Sequence, residues 1–122
     1  MSTIIIQENK TIKEIQQDFN SKFPHLRIEF YSKEHETGEA TSNKAKFDEN
    51  LKLSEIRTVH NEGEISINGH LKTSTLEENF SKLFGVNVQV FRKSGRIWLQ
   101  TTTTDDWTLA EQEQKGVEYE LN

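Results

Sequence analysis

Cysteine is absent from this chain. Disulfide staples and thiolate nucleophiles are therefore excluded, and the composition fits a reducing compartment. Long apolar runs are missing too. The N-terminal stretch offers three consecutive isoleucines, Ile4 to Ile6, with no basic segment before them, and does not read as a secretory signal. Nothing approaches the roughly 20 apolar residues that a membrane helix needs. A cytoplasmic protein without membrane contact is expected.

Recognised chemical patterns are equally scarce. His25, His35, His60 and His70 show no HExxH or other metal-ligand spacing and read as loop histidines. Gly85 and Ser94-Gly95 stand alone, so no phosphate-cradling loop is present, and there is no G-x-S-x-G elbow. Asp105-Asp106 looks like a carboxylate pair. It directly precedes Trp107-Thr108-Leu109-Ala110-Glu111, however, where such residues cap a helix and favour its positive end. No enzyme, cofactor or metal is expected.

Excess basic charge is also lacking. The net charge is −5, and Asp105, Asp106, Glu111, Glu113, Glu118 and Glu120 against Lys115 place all of it in residues 105–122. Residues 1–104 are neutral. A balanced body with an acidic tail opposes strong phosphate-backbone binding, which needs clustered Lys and Arg.

What the chain does have is periodic. Its 122 residues, 32% of them hydrophobic, suit one domain with a modest core. We place that domain at 1–115 and set 116–122 apart as an acidic tail. Ile4 to Ile6 read as a buried strand. Thr11 and Glu14 form a capping box before the stripe Ile12, Ile15, Phe19, Phe23, and Pro24 ends the helix. Leu26, Ile28 and Phe30 alternate with polar or half-polar neighbours as a half-buried strand. Residues 33–50 read as a long loop. A strand Leu51-Lys52-Leu53 with a helical turn capped by Ser54 is expected next, then a turn at 61–63 and a short strand through Ile65 and Ile67. Ser74 and Glu77 suggest a second capping box before Leu76, Phe80, Leu83 and Phe84, with Gly85 as the left-handed stop. Val86, Val88 and Val90 alternate as the following strand.

The chain thus reads as α+β, with two loosely similar β-α-β halves. The expected fold is ferredoxin-like, β-α-β-β-α-β, with an extra C-terminal hairpin strand and a terminal helix. Ser94-Gly95 serves as the hairpin turn, pairing Lys93 with Arg96, Phe91 with Trp98 and Val90 with Leu99. Val86, Val88, Val90, Ile97 and Leu99 then face the core, while Phe91 and Trp98 lie on the outer face. Either the terminal helix, with Trp107 or Leu109, or the Thr101–Thr104 continuation of the strand covers that pair, or it stays open beside Arg92, Lys93 and Arg96.

The run Phe84-Gly85, Val88-Gln89-Val90-Phe91-Arg92-Lys93-Ser94-Gly95, Trp98 and Thr101 to Leu109 resembles a segment of an uncharacterised group of small bacterial proteins. That resemblance implies no activity and carries over no residue. The expected function is a non-catalytic module that binds a protein partner, through Phe91, Trp98, Arg92, Lys93 and Arg96. The alternative is single-stranded nucleic-acid binding through the same residues, with bases stacked on the aromatics. The neutral body makes nucleic acid the less favoured partner.

Overall fold

A computed structural model describes residues 2–32 and 46–120. The element order is β1 (Thr3–Ile6), α1 (Ile12–Lys22), β2 (Leu26–Tyr31), α2 (Leu53–Ile56), β3 (Gly63–Ser66), α3 (Thr73–Phe84), β4 (Asn87–Ser94), β5 (Ile97–Gln100), a 3-10 turn (Thr102–Thr104) and α4 (Leu109–Glu120). The α+β class expected from the sequence is what forms. The strands do not join in one ferredoxin-like sheet, however. They fall into two antiparallel sheets, β1-β3 and β2-β4-β5.

Both sheets are built across the two halves. Ile4 pairs with Ile65, flanked by Thr3–Ser66 and Ile5–Glu64. Glu29 pairs with Gln89, flanked by Ile28–Val90 and Phe30–Val88. Each set is symmetric about its central pair, so one approximate two-fold relates β1-α1-β2 to β3-α3-β4. The core obeys it: Ile4, Ile6, Ile12, Ile15, Phe19 and Phe23 are buried, and so are Ile65, Ile67, Thr73, Leu76, Phe80 and Phe84. Backbone hydrogen bonds repeat as well. Ile12 N donates to Leu51 O and Leu53 N to Lys10 O; Thr73 N donates to Trp107 O and Leu109 N to Leu71 O. Ser54 N reaches Glu8 O as Ala110 N reaches Gly69 O, and Phe47 N reaches Phe30 O as Thr101 N reaches Val90 O. Each half is therefore a strand, helix and strand whose helix start is tied by a returning segment.

Several local expectations change for this reason. The Thr11–Glu14 capping box forms, and Gly85 takes the left-handed conformation at the end of α3, with φ 66°. Ser74 caps nothing: α3 begins at Thr73, and the carbonyls of Trp107 and Asp105 accept the N–H groups of Thr73 and Ser74. The Leu51–Leu53 strand is reduced to a bridge between Lys52 and Thr11, because that segment's bonds go to α1's start. Its helical turn is α2, with Lys52 rather than Ser54 at the N-cap. Ile5 is exposed, so β1 is half-buried; Glu29 and Tyr31 are buried, so β2 is covered on both faces. Of the long loop expected at 33–50, residues 33–45 lie outside the described residues. Residues 116–120, expected in the tail, belong to α4.

The halves differ where they have been elaborated. In the second, the returning segment continues into α4 instead of the one-turn α2.

Candidate functional site

The hairpin turns at Gly95-Arg96, with Ser94 opposite Ile97, Lys93 opposite Trp98, Arg92 opposite Leu99 and Phe91 opposite Gln100. Gly95 has φ 62° and no other residue of the turn has positive φ. A glycine at the first turn position is what a type II′ hairpin requires. The expected register, with Ser94-Gly95 as the turn, is two residues off. A shift of two preserves side-chain parity. Val88, Val90, Arg92, Ile97 and Leu99 therefore share one face, and Gln89, Phe91, Lys93, Trp98 and Gln100 the other.

The hairpin runs past the end of β2, whose ladder stops at Leu26–Arg92. Consequently Ile97 and Leu99, expected in the core, are 59% and 38% exposed. The Thr101–Thr104 strand continuation does not form either. Thr101 turns inward, its N–H and hydroxyl both donating to Val90 O, and a 3-10 turn follows.

The terminal helix lies on the Arg92 side. It starts at Leu109, where Thr108 Oγ1 accepts from Glu111 N and Glu111 Oε1 from Thr108 N. Asp105-Asp106 therefore precede the cap, and Asp105 contributes its carbonyl to α3. Arg92 Nη1 donates to Gln112 Oε1 at 2.7 Å, and its guanidinium sits 5.4 Å from the Trp107 ring centre. His25 is held from the same helix: Nδ1 lies 2.6 Å from Glu113 Oε2, the His25 N–H donates to Glu113 Oε1, and Nε2 contacts Glu120. Helix α4 is thus anchored away from Phe91 and Trp98, which are half-buried on the opposite face.

Phe91, Lys93 and Trp98 are brought together there. Trp98 is flanked by two cations, with the Arg27 guanidinium 5.3 Å and the Lys93 ammonium 5.9 Å from its ring centre. Cations over an indole face gain from its quadrupole. Arg96 is exposed in the turn. Arg92, expected at this site, instead holds α4. Arg27 belongs to the site and was not foreseen, because only the β2–β4 register, Arg27 opposite Phe91, places it there. Its partner Glu29 offsets one positive charge, while Lys46 stands 3.6 Å from the same carboxylate.

Other polar groups are committed elsewhere. Arg57, its side chain fully buried, pairs with Glu8 and donates to the carbonyls of Phe84 and Asn61. That guanidinium holds the Glu8 carboxyl below its ordinary range. His60 also contacts Glu8. A cavity of about 370 Å³ is lined by Tyr31, Phe47, Glu55, Arg57 and Asn87 among others, and a second of about 310 Å³ by Lys13, Gln16, Asn20, Arg27 and Glu49. Neither is lined by a histidine. Among the described residues no cluster of three or more His, Asp or Glu could hold a metal, and no helix is long and apolar enough to cross a membrane.

No protein-family model, curated protein or solved structure matches this chain. The candidate site therefore stands on its own geometry.

Proposed function

We propose that the chain is a non-catalytic, cytoplasmic binding domain whose recognition surface is the outer face of the β4–β5 hairpin and whose ligand is another protein. The observation that carries this reading is Trp98. It is half-buried on a hairpin that outruns β2, flanked by Arg27 and Lys93, on the side away from α4. Tryptophan and arginine in partly desolvated settings dominate interface energetics. Phe91 extends the surface along β4, and Arg96 extends it at the turn.

The test is recovery of a partner from the native cell by wild type and by Phe91→Ala/Trp98→Ala, both shown to be folded by circular dichroism. Loss of one specific partner in the double variant supports the reading; equal recovery overturns it. The cations beside Trp98 also suit a stacked base, which favours single-stranded nucleic acid as the second reading. Titration with a deoxythymidine oligonucleotide at low salt separates the two: saturable, salt-sensitive shifts from Lys93 to Trp98 would replace the protein reading.

A further inference from the structure

Each returning segment reaches past the start of its own helix to the end of the other half's helix. Ser54 N–Glu8 O and Ala110 N–Gly69 O are equivalent bonds, so Arg57 and Glu113 occupy equivalent positions. Arg57 donates to Phe84 O at the end of α3. Glu113 accepts the His25 N–H just past the end of α1, at 2.8 Å. The cations of the two junctions differ. The first is tied by Arg57 to Glu8, with His60 as an additional contact. A guanidinium keeps its proton at any working pH. The second is tied by the His25 ring, and an imidazole ordinarily exchanges its second proton near about pH 6.5.

Helix α4 depends on that ring at its far end. Its first turns are fixed independently: Leu109 is buried, and Gln112 is bonded to Thr73, Thr104 and Arg92. Further along, Glu113, Gly116 and Glu120 all meet His25. The last turn has no basic residue of its own and carries Glu118 and Glu120. Carboxylates at a helix C-terminus oppose its dipole, so this end gains from a cation supplied by another element. His25 Nδ1 lies 2.6 Å from Glu113 Oε2 and Nε2 contacts Glu120, with the ring 16% exposed. Strand β4 meets His25 through its backbone, Lys93 N donating to His25 O. Cations on the neighbouring elements are directed elsewhere: Lys22 of α1 over Phe23, Arg27 of β2 and Lys93 of β4 over Trp98, Arg92 over Trp107, and Lys115 of α4 on Glu118.

We infer that His25 and Glu120 form a pH-operated clasp on the last turn of α4, closed when the imidazole carries two protons and open when it carries one. The doubly protonated ring donates from both nitrogens; the neutral ring donates from one and presents a lone pair at the other. Glu113 is held twice, by Nδ1 and by the His25 N–H, so the single proton stays on Nδ1. Nε2 then turns a lone pair toward the Glu120 carboxylate, and the contact becomes repulsive. The released proton goes to solvent, and the helix end loses its counter-charge. Gly116 places a poor helix former just before that turn. The clasp therefore closes as the ring gains its second proton with falling pH and opens as it loses it. This inference is independent of the hairpin reading.

The test follows the full, isotope-labelled chain by NMR from about pH 5.5 to about pH 8.5, spanning the ordinary histidine range. The His25 Cε1 shift reports the ring's proton. Cα shifts report the helix at Val117 to Glu120, with Leu109 to Gln112 as internal reference. The closed-to-open ratio of the last turn should fall about five-fold with the midpoint of His25 itself, while the reference residues stay helical. In Glu120→Gln the amide meets Nε2 as donor or acceptor in either state, so the step should vanish while His25 still titrates. That change keeps the fold, since the Glu120 side chain is 62% exposed. A last turn whose Cα shifts stay flat through the His25 midpoint overturns the clasp. So does a step of equal size in Glu120→Gln, or one that runs equally through Leu109 to Gln112.

Discussion

Glu77 and Gln16 occupy equivalent positions on the two helices, and Glu29 and Gln89 equivalent positions on the paired strands. Each half so carries one amide and one carboxylate, in exchanged places. Gln16 Nε2 donates to Ile28 O and to Glu29 Oε1, and Glu29 has Arg27 and Lys46 beside it. Glu77 instead accepts the Val90 N–H at 3.0 Å. Burial, with Asp105 adding repulsion, pushes its carboxyl up from 4.5 to about 7. The folded protein therefore holds that proton more tightly than the unfolded chain does. Stability should fall as pH rises from about 4.5 to about 7 and level off above, by on the order of 3 kcal/mol at most. Glu77→Gln keeps an acceptor for Val90 and should flatten that slope in denaturant titrations across the range. A second residue-scale prediction concerns Gly116, where a Cβ would stand 2.6 Å from His25 Cβ. Gly116→Ala should cost about 1–3 kcal/mol by forcing α4 off its seat, measured by chemical denaturation. Residues acting on their own neighbourhood, such as Thr11 with Glu14, were legible in the sequence. His25 was not, because Glu113 and Glu120 are brought to it by the fold.

At the scale of elements, α1 and α3 were both readable from their apolar stripes and stops, but a start was readable only where the cap is local. Helix α1 carries its own box, whereas α3 takes its first acceptors from Asp105 and Trp107. The hairpin was readable in its faces and not in its register, since apolar alternation repeats every two residues and a shift of two leaves it unchanged. The deciding constraint is the turn, where Gly95 adopts φ 62° and a side-chain methyl would meet open space. Gly95→Ala should therefore cost about 1–2 kcal/mol from backbone strain alone, read as reduced stability with the same β4–β5 contacts in NMR spectra. Most of the candidate site was legible: Phe91, Lys93 and Trp98 do share a face. Arg27 was not, because a strand pairing across the two halves leaves no local mark.

At the scale of the molecule, the approximate two-fold makes the halves interdependent. Among the described residues, every pairing between named strands apart from β4–β5 joins one half to the other. Neither sheet exists within one half, so unfolding should be a single transition with tryptophan fluorescence and far-UV circular dichroism superimposed. Phe19 and Phe80, fully buried at equivalent positions, should then cost the same global stability when replaced by alanine, about 3–5 kcal/mol each. Only loose similarity between the halves was visible in the sequence; the symmetry lies in hydrogen bonds made by backbone, which side-chain identity does not encode. The same symmetry shows one addition among the described residues: the long α4, which stands where the first half has the one-turn α2. Helix α4 is used internally, against His25 and Arg92, so the proposed recognition surface is the Trp98 side of the hairpin. The most direct measurement of its role is photo-crosslinking in the native cell, with benzoylphenylalanine at position 98 and, as control, at exposed position 64 on β3. A recognition surface at the hairpin predicts one discrete protein adduct from position 98, lost in Lys93→Glu/Arg96→Glu and absent from position 64. Indistinguishable adducts from both positions, or none from position 98, would contradict it.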